Sequence, residues 1–224
     1  MSRYFESQYD ILDKDLIKSG LAQFGPMSSY TWNTDPKRLL FVLSRYKFAA
    51  KVLEGCKSVI EVGCGDGFAA RIVRQHVSNL LITDIDPVMI QYAIQTQSDT
   101  FPIRVEQHNF CEKPLKKSGV EFDGAYLLDV LEHIPKSSET IFLENIRKSM
   151  SINAKVVIGM PSLESQAYAS VGSKVGHINC KTKEGLCQDL SSVFRSVTCF
   201  SMNDEVVHTG FSRMANYIFA VCVV

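Results

Sequence analysis

The sequence has no apolar run long enough to cross a bilayer. The longest, Tyr217 to Val224, is eight residues, against the roughly 20 that a spanning helix needs. It has no net charge either, with 24 Lys+Arg against 24 Asp+Glu. That argues against a chain held on nucleic acid or an anionic membrane by bulk charge, and leaves only a local basic groove for such a partner. The seven cysteines, at 56, 64, 111, 180, 187, 199 and 222, include no CxxC spacing and are odd in number, which fits poorly with a closed disulfide framework. The opening stretch MSRYFESQYDILDKDL carries charges throughout and lacks the apolar centre of a secretory signal. Internal repeats, low-complexity tracts and Pro/Gly/Ser linkers are missing too. The expectation is a reduced, cytoplasmic protein with no membrane span. At 224 residues, 46% hydrophobic and 21% charged, it should form one globular domain. Nothing in the pattern fixes its oligomeric state.

What is present changes character near residue 55. Residues 1–55 read as helical and aromatic-rich, with Tyr4, Phe5, Tyr9, Tyr30 and Trp32 ahead of the apolar stretch Leu39 to Leu53, and show no strand signal. This part is expected to be a mobile lid or extension. From there, short β runs at 58–62, 80–84, 103–107, 122–128 and 155–160 alternate with helical segments at 68–77, 87–97, 138–150 and 182–193. Such alternation predicts βαβ units around a parallel sheet. Two further β runs, 197–202 and 216–223, have no helix between them. The fold class expected is therefore α/β: a doubly wound, Rossmann-like sheet of seven strands, mostly parallel, with an antiparallel C-terminal strand.

The sharpest local signal is VIEVGCGDGFAARIV, 59–73. A hydrophobic strand ends in Glu61, and Gly63, Gly65 and Gly67 turn the chain into a helix, letting backbone amides approach a ligand at the carboxyl edge of the sheet. The second strand ends in Asp84, where a carboxylate can accept both ribose hydroxyls of a nucleoside. Asp86, directly before Pro87, reads as a helix cap. The GxGxG spacing, in place of GxGxxG, favours a nucleoside without a pyrophosphate.

In order, EVGCGDG, TDIDPVMIQYA, FDGAYLLDVLEHIP and KVVIGMP resemble the successive motifs of class I S-adenosylmethionine-dependent methyltransferases. The resemblance spans about residues 55–162 and, with the terminal strand pair, divides the chain into the 1–55 extension and a 56–224 methyltransferase domain. It implies S-adenosyl-L-methionine as cofactor and S-adenosyl-L-homocysteine as product. It also implies that Glu61, Gly63, Cys64 and Gly65 line the methionine part, that Asp84 holds the ribose and that Ile85 flanks the adenine. Asn109 stands where the family often has an Asp that receives the adenine amino group, with Phe110 beside it, and Leu128 should touch the sulfur side.

After the fourth strand come Asp129, Glu132 and His133, and His177 lies in a long loop leaving the same sheet edge. Two carboxylates and two imidazoles suit Mg²⁺, Mn²⁺ or another divalent ion with open positions. The segment resembles the ExxEH-plus-His metal site of small-RNA 3′-terminal 2′-O-methyltransferases and the ExxEH segment of ubiquinone-biosynthesis O-methyltransferases, with Asp129 one methylene shorter than Glu. In relatives without a metal, the same acid and imidazole cap the following helix. His133 is the catalytic candidate within this set. His208, on the connection 203–215 between the last two strands, is the alternative general base; His76 and His108 read as surface or packing residues. The leading expectation is O-methylation of a small polar acceptor such as a secondary metabolite, sugar or glycan. An RNA 3′-terminal 2′-O-methyltransferase and a cofactor-binding pseudoenzyme or assembly partner are the alternatives, and N-methylation stays open.

Overall fold

A computed structural model describes residues 4–224, without the side chains of Asp15, Lys18 and Ser19. Three helices come first: α1 (Asp10–Ser19), α2 (Pro26–Thr34) and α3 (Pro36–Val52). Proline at the first helical position opens both α2 and α3, where its missing N–H costs nothing. The alternating part then runs β1 (Ser58–Val62), α4 (Ala70–Arg74), β2 (Asn79–Asp84), α5 (Pro87–Gln95), β3 (Arg104–Gln107) and β4 (Phe122–Leu128). It continues with α6 (Lys136–Ser149), β5 (Met150–Pro161), α7 (Val171–Gly176), α8 (Lys183–Ser191), β6 (Ser196–Asn203), β7 (Val206–His208) and β8 (Tyr217–Val223).

The strands form one sheet in the order β3-β2-β1-β4-β5-β8-β6-β7. Neighbours from β3 to β5 are parallel; β8 is antiparallel to both β5 and β6. The fold class is the expected one, with eight strands in place of seven. The extra strand is β7, a three-residue hairpin return on β6 that adds an edge after the predicted terminal pair. Strand order reverses between β1 and β4, so their carboxyl ends diverge and open a crevice there.

Both sheet faces are covered, which explains the near-continuous burial of β1, β2 and β4. Ile60, Val62, Ala125 and Leu127 face one side with Phe142, Leu143 and Ile146 of α6 and Leu186 and Leu190 of α8. Val59, Tyr126 and Leu128 face the other with Tyr46, Ala49 and Ala50 of α3, Val73 of α4, and Ile90 and Ala93 of α5. The expected lid boundary at residue 55 therefore needs correcting. Residues 36–55 belong to the core, because α3 buries Leu39, Tyr46, Ala49 and Ala50 against the sheet. Only the segment ahead of α3 lies outside it. The helix expected over 68–77 shortens to one turn and a half at α4.

Glu61 ties these layers together. It is 1% exposed, accepts a hydrogen bond from Tyr46 Oη at 2.6 Å and another from Tyr126 Oη at 2.7 Å, and so joins α3, β1 and β4. Burial pushes its carboxyl up to about 7; the two phenol bonds oppose that shift, and the charges of Asp84 and Asp66 add to it. The folded chain thus takes up a proton at Glu61 between the ordinary Glu value and about 7, and stability attached to this group falls as pH rises through that window. Glu61→Gln should flatten this part of the pH–stability curve. The wild type should lose up to about 1.4 kcal/mol per pH unit relative to the variant across the window. Chemical denaturation at a series of pH values from about 4.5 to 8 checks it; parallel curves for the two proteins would refute the assignment.

Candidate active site

Two adjoining cavities occupy the crevice at the carboxyl edge, of about 470 Å³ and about 400 Å³. Met27, Gly63, Gly65, Asp129 and His133 line both and form the wall between them. The first is bounded by Asp84, Ile85, Met89, His108, Asn109, Phe110 and Phe142, and it has the size and mixed lining of a nucleoside site. The glycine turn shapes its floor. Gly63 has φ +73° and Gly65 φ +53°, backbone regions that favour glycine. A Cβ at Gly63 would stand 2.4 Å from a methyl of Val130, so the close approach also excludes any side chain.

Asp84 closes the turn from the second strand. Its Oδ2 accepts from Gly65 N at 2.8 Å and its Oδ1 from Asp86 N at 2.9 Å. Asp86 is the cap of α5, accepting from Val88 N at 2.8 Å, the role its place before Pro87 implies. Asn109 Oδ1 accepts from Cys111 N and its amide donates to Glu112, which fixes the loop beside Phe110. His108 was expected on the surface or in packing. Its ring lies edge-on to Phe110 at 4.5 Å and lines this cavity.

Of the residues expected at the methionine end, Gly63, Cys64, Gly65 and Leu128 line the second cavity, and Glu61 does not. Its two carboxylate oxygens are spent on Tyr46 and Tyr126 beneath the turn. Its role is to brace the site from below. Arg45, which the sequence reading passed over, enters the cavity instead. It lies on one helical face with Arg38 and Val42, and that i, i+4, i+7 spacing was the signal available.

Arg45 decides the fate of Asp129. Its Nη1 donates to Oδ1 and Oδ2 of Asp129 at 2.9 and 2.7 Å, and its guanidinium lies 3.9 Å from the centre of the Tyr217 ring. Asp129 itself sits at φ +59° and donates its backbone N–H to Gly159 O. The expected four-residue metal set is thereby corrected to three, because the Asp129 carboxylate is neutralised by the arginine 84 positions upstream.

Glu132, His133 and His177 do converge, with one ligating atom from each lying within 4.8 Å of the others. The protonation pattern of the imidazoles suits ligation. His133 Nδ1 faces the carbonyl of Gly176 at 2.8 Å, and His177 Nδ1 faces Oε1 of Gln166 at 2.9 Å, whose amide nitrogen is turned to Ser162 O. Both acceptors are oxygen, so in the neutral rings the hydrogen sits on Nδ1 and Nε2 presents its lone pair. Glu132 is fully buried, and neither carboxylate oxygen has a hydrogen-bond partner. Burial, followed by the nearby Asp129 charge, raises its pKa well above the usual carboxylate range. Burial and the neighbouring His133 lower that of His177. An orphaned buried carboxylate facing two imidazole lone pairs is a donor set that fits a divalent cation.

His208 is not brought to the crevice. It lies on the outermost strand β7, with Nε2 on Asn203 Oδ1 and Nδ1 accepting from Gly210 N. Neither cavity includes it. The connection leaves the correct edge of the sheet, but β8 and β6 both stand between it and β5.

The family model described as "Methyltransferase domain" matches residues 35–193. A ubiquinone biosynthesis O-methyltransferase of Xylella fastidiosa (strain M23) is 24% identical over 172 residues, 68% of this chain and 69% of that protein. The methyltransferase domain of a bacterial Hen1 protein, CtHen1-CN, superposes with a TM-score of 0.66 at 16% identity, covering 82% of this chain and all of that one. The N-methyltransferase NodS of Bradyrhizobium japonicum WM9, in complex with S-adenosyl-L-homocysteine, gives 0.61 at 13% identity over 97% and 98% of the two chains.

The cover over the glycine turn is testable without any ligand. Asp66, in the turn, accepts from Ser28 N at 2.8 Å and Ser28 Oγ at 3.1 Å, so a carboxylate from a distant loop caps the start of α2. Phe24 meets Phe68 edge-on at 4.6 Å beside it, and Met27 rests over Gly65. Asp66→Ala should cost about 1–2 kcal/mol through the lost cap. Limited proteolysis should then cut the 20–25 connection several-fold faster while the sheet domain stays intact. Unchanged cutting would show that the aromatic contact alone holds α2 down.

Proposed function

This chain belongs to the methyltransferase-domain family and is an S-adenosylmethionine-dependent methyltransferase; on that premise we propose that it methylates an oxygen of a small polar acceptor in the cavity between α3, the glycine turn and the His177 loop. The observation that carries the proposal is the buried Glu132 carboxylate, without a hydrogen-bond partner, beside the two imidazoles; all three line the second cavity, and His133 also reaches the wall it shares with the first. The similarity to an enzyme named as an O-methyltransferase supports oxygen as the acceptor atom.

On this reading the adenosine occupies the larger cavity. Asp84 accepts the ribose hydroxyls while keeping the Gly65 amide in place, Ile85 and Phe110 flank the adenine, and Asn109 stands near its amino group. The methionine half crosses Gly63, Cys64 and Gly65, with Leu128 towards the sulfur. The acceptor oxygen attacks the methyl carbon in line with the breaking carbon–sulfur bond; S-adenosyl-L-homocysteine leaves with the bonding pair, and the hydroxyl proton departs. Alignment and exclusion of water supply most of the rate.

Glu132, His133 and His177 would hold a divalent ion such as Mg²⁺ or Mn²⁺, which when bound lowers the pKa of a coordinated hydroxyl. Gly176 and Gln166 hold the Nδ1 side of each ring, leaving Nε2 for the ion, and Arg45 engages both oxygens of Asp129. In the absence of an ion, His133 Nε2, on a half-exposed ring, is the atom that takes a hydroxyl proton. Acceptors with two neighbouring oxygens, such as sugar diols or catechols, suit such a centre best. A ribose at an RNA 3′ end presents the same diol, but the balanced charge gives no support for a nucleic-acid partner.

Methyl transfer from labelled S-adenosylmethionine to a panel of catechols, sugars and oligoribonucleotides tests this, with added Mn²⁺ and after exhaustive chelation. Activity should fall at least 100-fold on chelation and in His133→Ala and His177→Ala. Activity that survives chelation and the His177→Ala change, but not His133→Ala, would replace the metal by the imidazole base. Transfer to nitrogen acceptors alone would overturn the oxygen assignment. Calorimetry adds a second check: Asp84→Ala should weaken cofactor binding by about 1.5–3 kcal/mol for each charged bond lost. Unchanged affinity would move the ribose contact to another residue.

A further inference from the structure

His177 lies 44 positions beyond His133, in a stretch of short turns between β5 and α8, and backbone propensity alone would not bring the two rings together. What holds the segment in place is concentrated at Asn179. Its backbone N–H donates to the carbonyl of Glu132 at 3.0 Å, and its side-chain Nδ2 donates to the carbonyl of Ile134 at 3.0 Å. The two acceptors straddle His133. Three residues earlier, the Gly176 carbonyl takes the His133 Nδ1 hydrogen, and a Cβ at Gly176 would stand only 3.2 Å from that ring. The segment 176–179 thus grips both sides of the 132–134 turn, and it leaves the His133 and His177 rings edge-to-face at 5.2 Å.

A second observation concerns what lies beneath Asn179. Glu139 and Lys181 are 3% and 7% exposed and pair at 2.9 Å, with Lys181 also bonded to Asp189 at 2.6 Å. Burying such a pair stabilises little, since desolvation offsets much of the attraction. Its effect on Asn179 is directional. The ammonium has only hydrogens to give, so it turns Oδ1 towards itself at 3.3 Å; the Glu139 carboxylate has only lone pairs, so it turns the NH₂ towards itself. With the amide oriented in this way, Nδ2 can face only Ile134 O and Glu139. The ion pair selects one of the two amide orientations, and that orientation closes the joint.

We propose that Asn179, oriented by the buried Glu139–Lys181 pair, is the positioning residue that brings His177 to Glu132 and His133. The three-residue donor set is complete only when this joint is closed. The proposal rests on the metal reading for its consequence, but the placement of the rings is a property of the protein itself. Asn179 lines neither cavity; it acts through the backbone on either side of His133 and through the chain leading to His177.

Mn²⁺ titration followed by electron paramagnetic resonance, together with ring-to-ring nuclear Overhauser contacts between His133 and His177 in the metal-free protein, tests it. Asn179→Ala should weaken Mn²⁺ binding about 10–100-fold, as loss of outer partners of metal ligands does, and should abolish the inter-ring contact. S-adenosylmethionine affinity should stay within about twofold. Asn179→Asp, of the same shape but without the two amide hydrogens, should act in the same direction and serves if the alanine variant folds poorly. Ser149→Ala, which removes two buried hydrogen bonds at the far end of α6, is the control for simple destabilisation and should retain both signals. Mn²⁺ affinity and ring contact both preserved in the Asn179 variants would overturn the proposal, as would equal losses in the Ser149 control. If the wild type binds no Mn²⁺, the metal reading fails, and the ring contact alone decides: its loss in Asn179→Ala sustains the positioning role, and its persistence ends it.

Discussion

A carboxylate that would be costly to bury alone stands at the root of this site. Glu61 has no contact with water, yet both of its oxygens are satisfied by phenols from α3 and β4. Removing either tyrosine would leave a buried acceptor unpaired, so the three elements are locked in one mutual arrangement. The glycine turn begins two residues after Glu61, and its Gly63 and Gly65 line both cavities of the crevice. The position of the ligand-facing backbone is therefore inherited from a polar contact inside the core. A wholly apolar pair of faces, free to slide, would give less exact placement.

The rest of the crevice is assembled by partners far apart in the chain that neutralise or orient one another. Arg45 removes Asp129 from the pool of free carboxylates; Asp66 fastens α2 over the turn; Gly176 and Gln166 fix the two imidazoles. Glu132 is left as the buried acid without a protein partner beside them. Each neighbouring charge is spent inside the protein, and that selectivity separates a candidate chemical centre from an ordinary acidic edge. One relative by sequence is named as an O-methyltransferase and one neighbour by fold as an N-methyltransferase, so the acceptor is read from these side chains and not from the architecture.

Some of this was legible residue by residue. Asp84 and Asp86 are two positions apart and chemically identical, but only Asp86 precedes a proline that opens a helix, and the cap was assignable on that ground. The glycine turn and the alternation of β and helical runs were equally local, and they gave the parallel sheet with its antiparallel end. Glu61 and Asp129 were misread for one reason. Each was expected to face a ligand because of its place in a motif, and each is satisfied by a side chain from α3, a helix whose pattern says it is amphipathic without saying what it meets. His208 was misplaced by the hairpin: the edge from which a loop leaves follows from strand order, but its distance from the crevice depends on how many strands intervene.

The sequence by itself determined what short-range physics determines. It set the strand and helix periodicities, the turn that favours glycine, the cap of α5 and the order of the motifs along one sheet edge. Tertiary structure alone decided which carboxylates remain uncommitted. That outcome depends on which cations and phenols arrive within about 3 Å, and such contacts join positions 15 to 84 residues apart. Coulomb and hydrogen-bond energies fall off over a few ångströms in space and carry no trace in the local pattern of the chain. Glu132 keeps both oxygens without a hydrogen-bond partner, whereas Tyr46 and Arg45 of α3 engage Glu61 and Asp129.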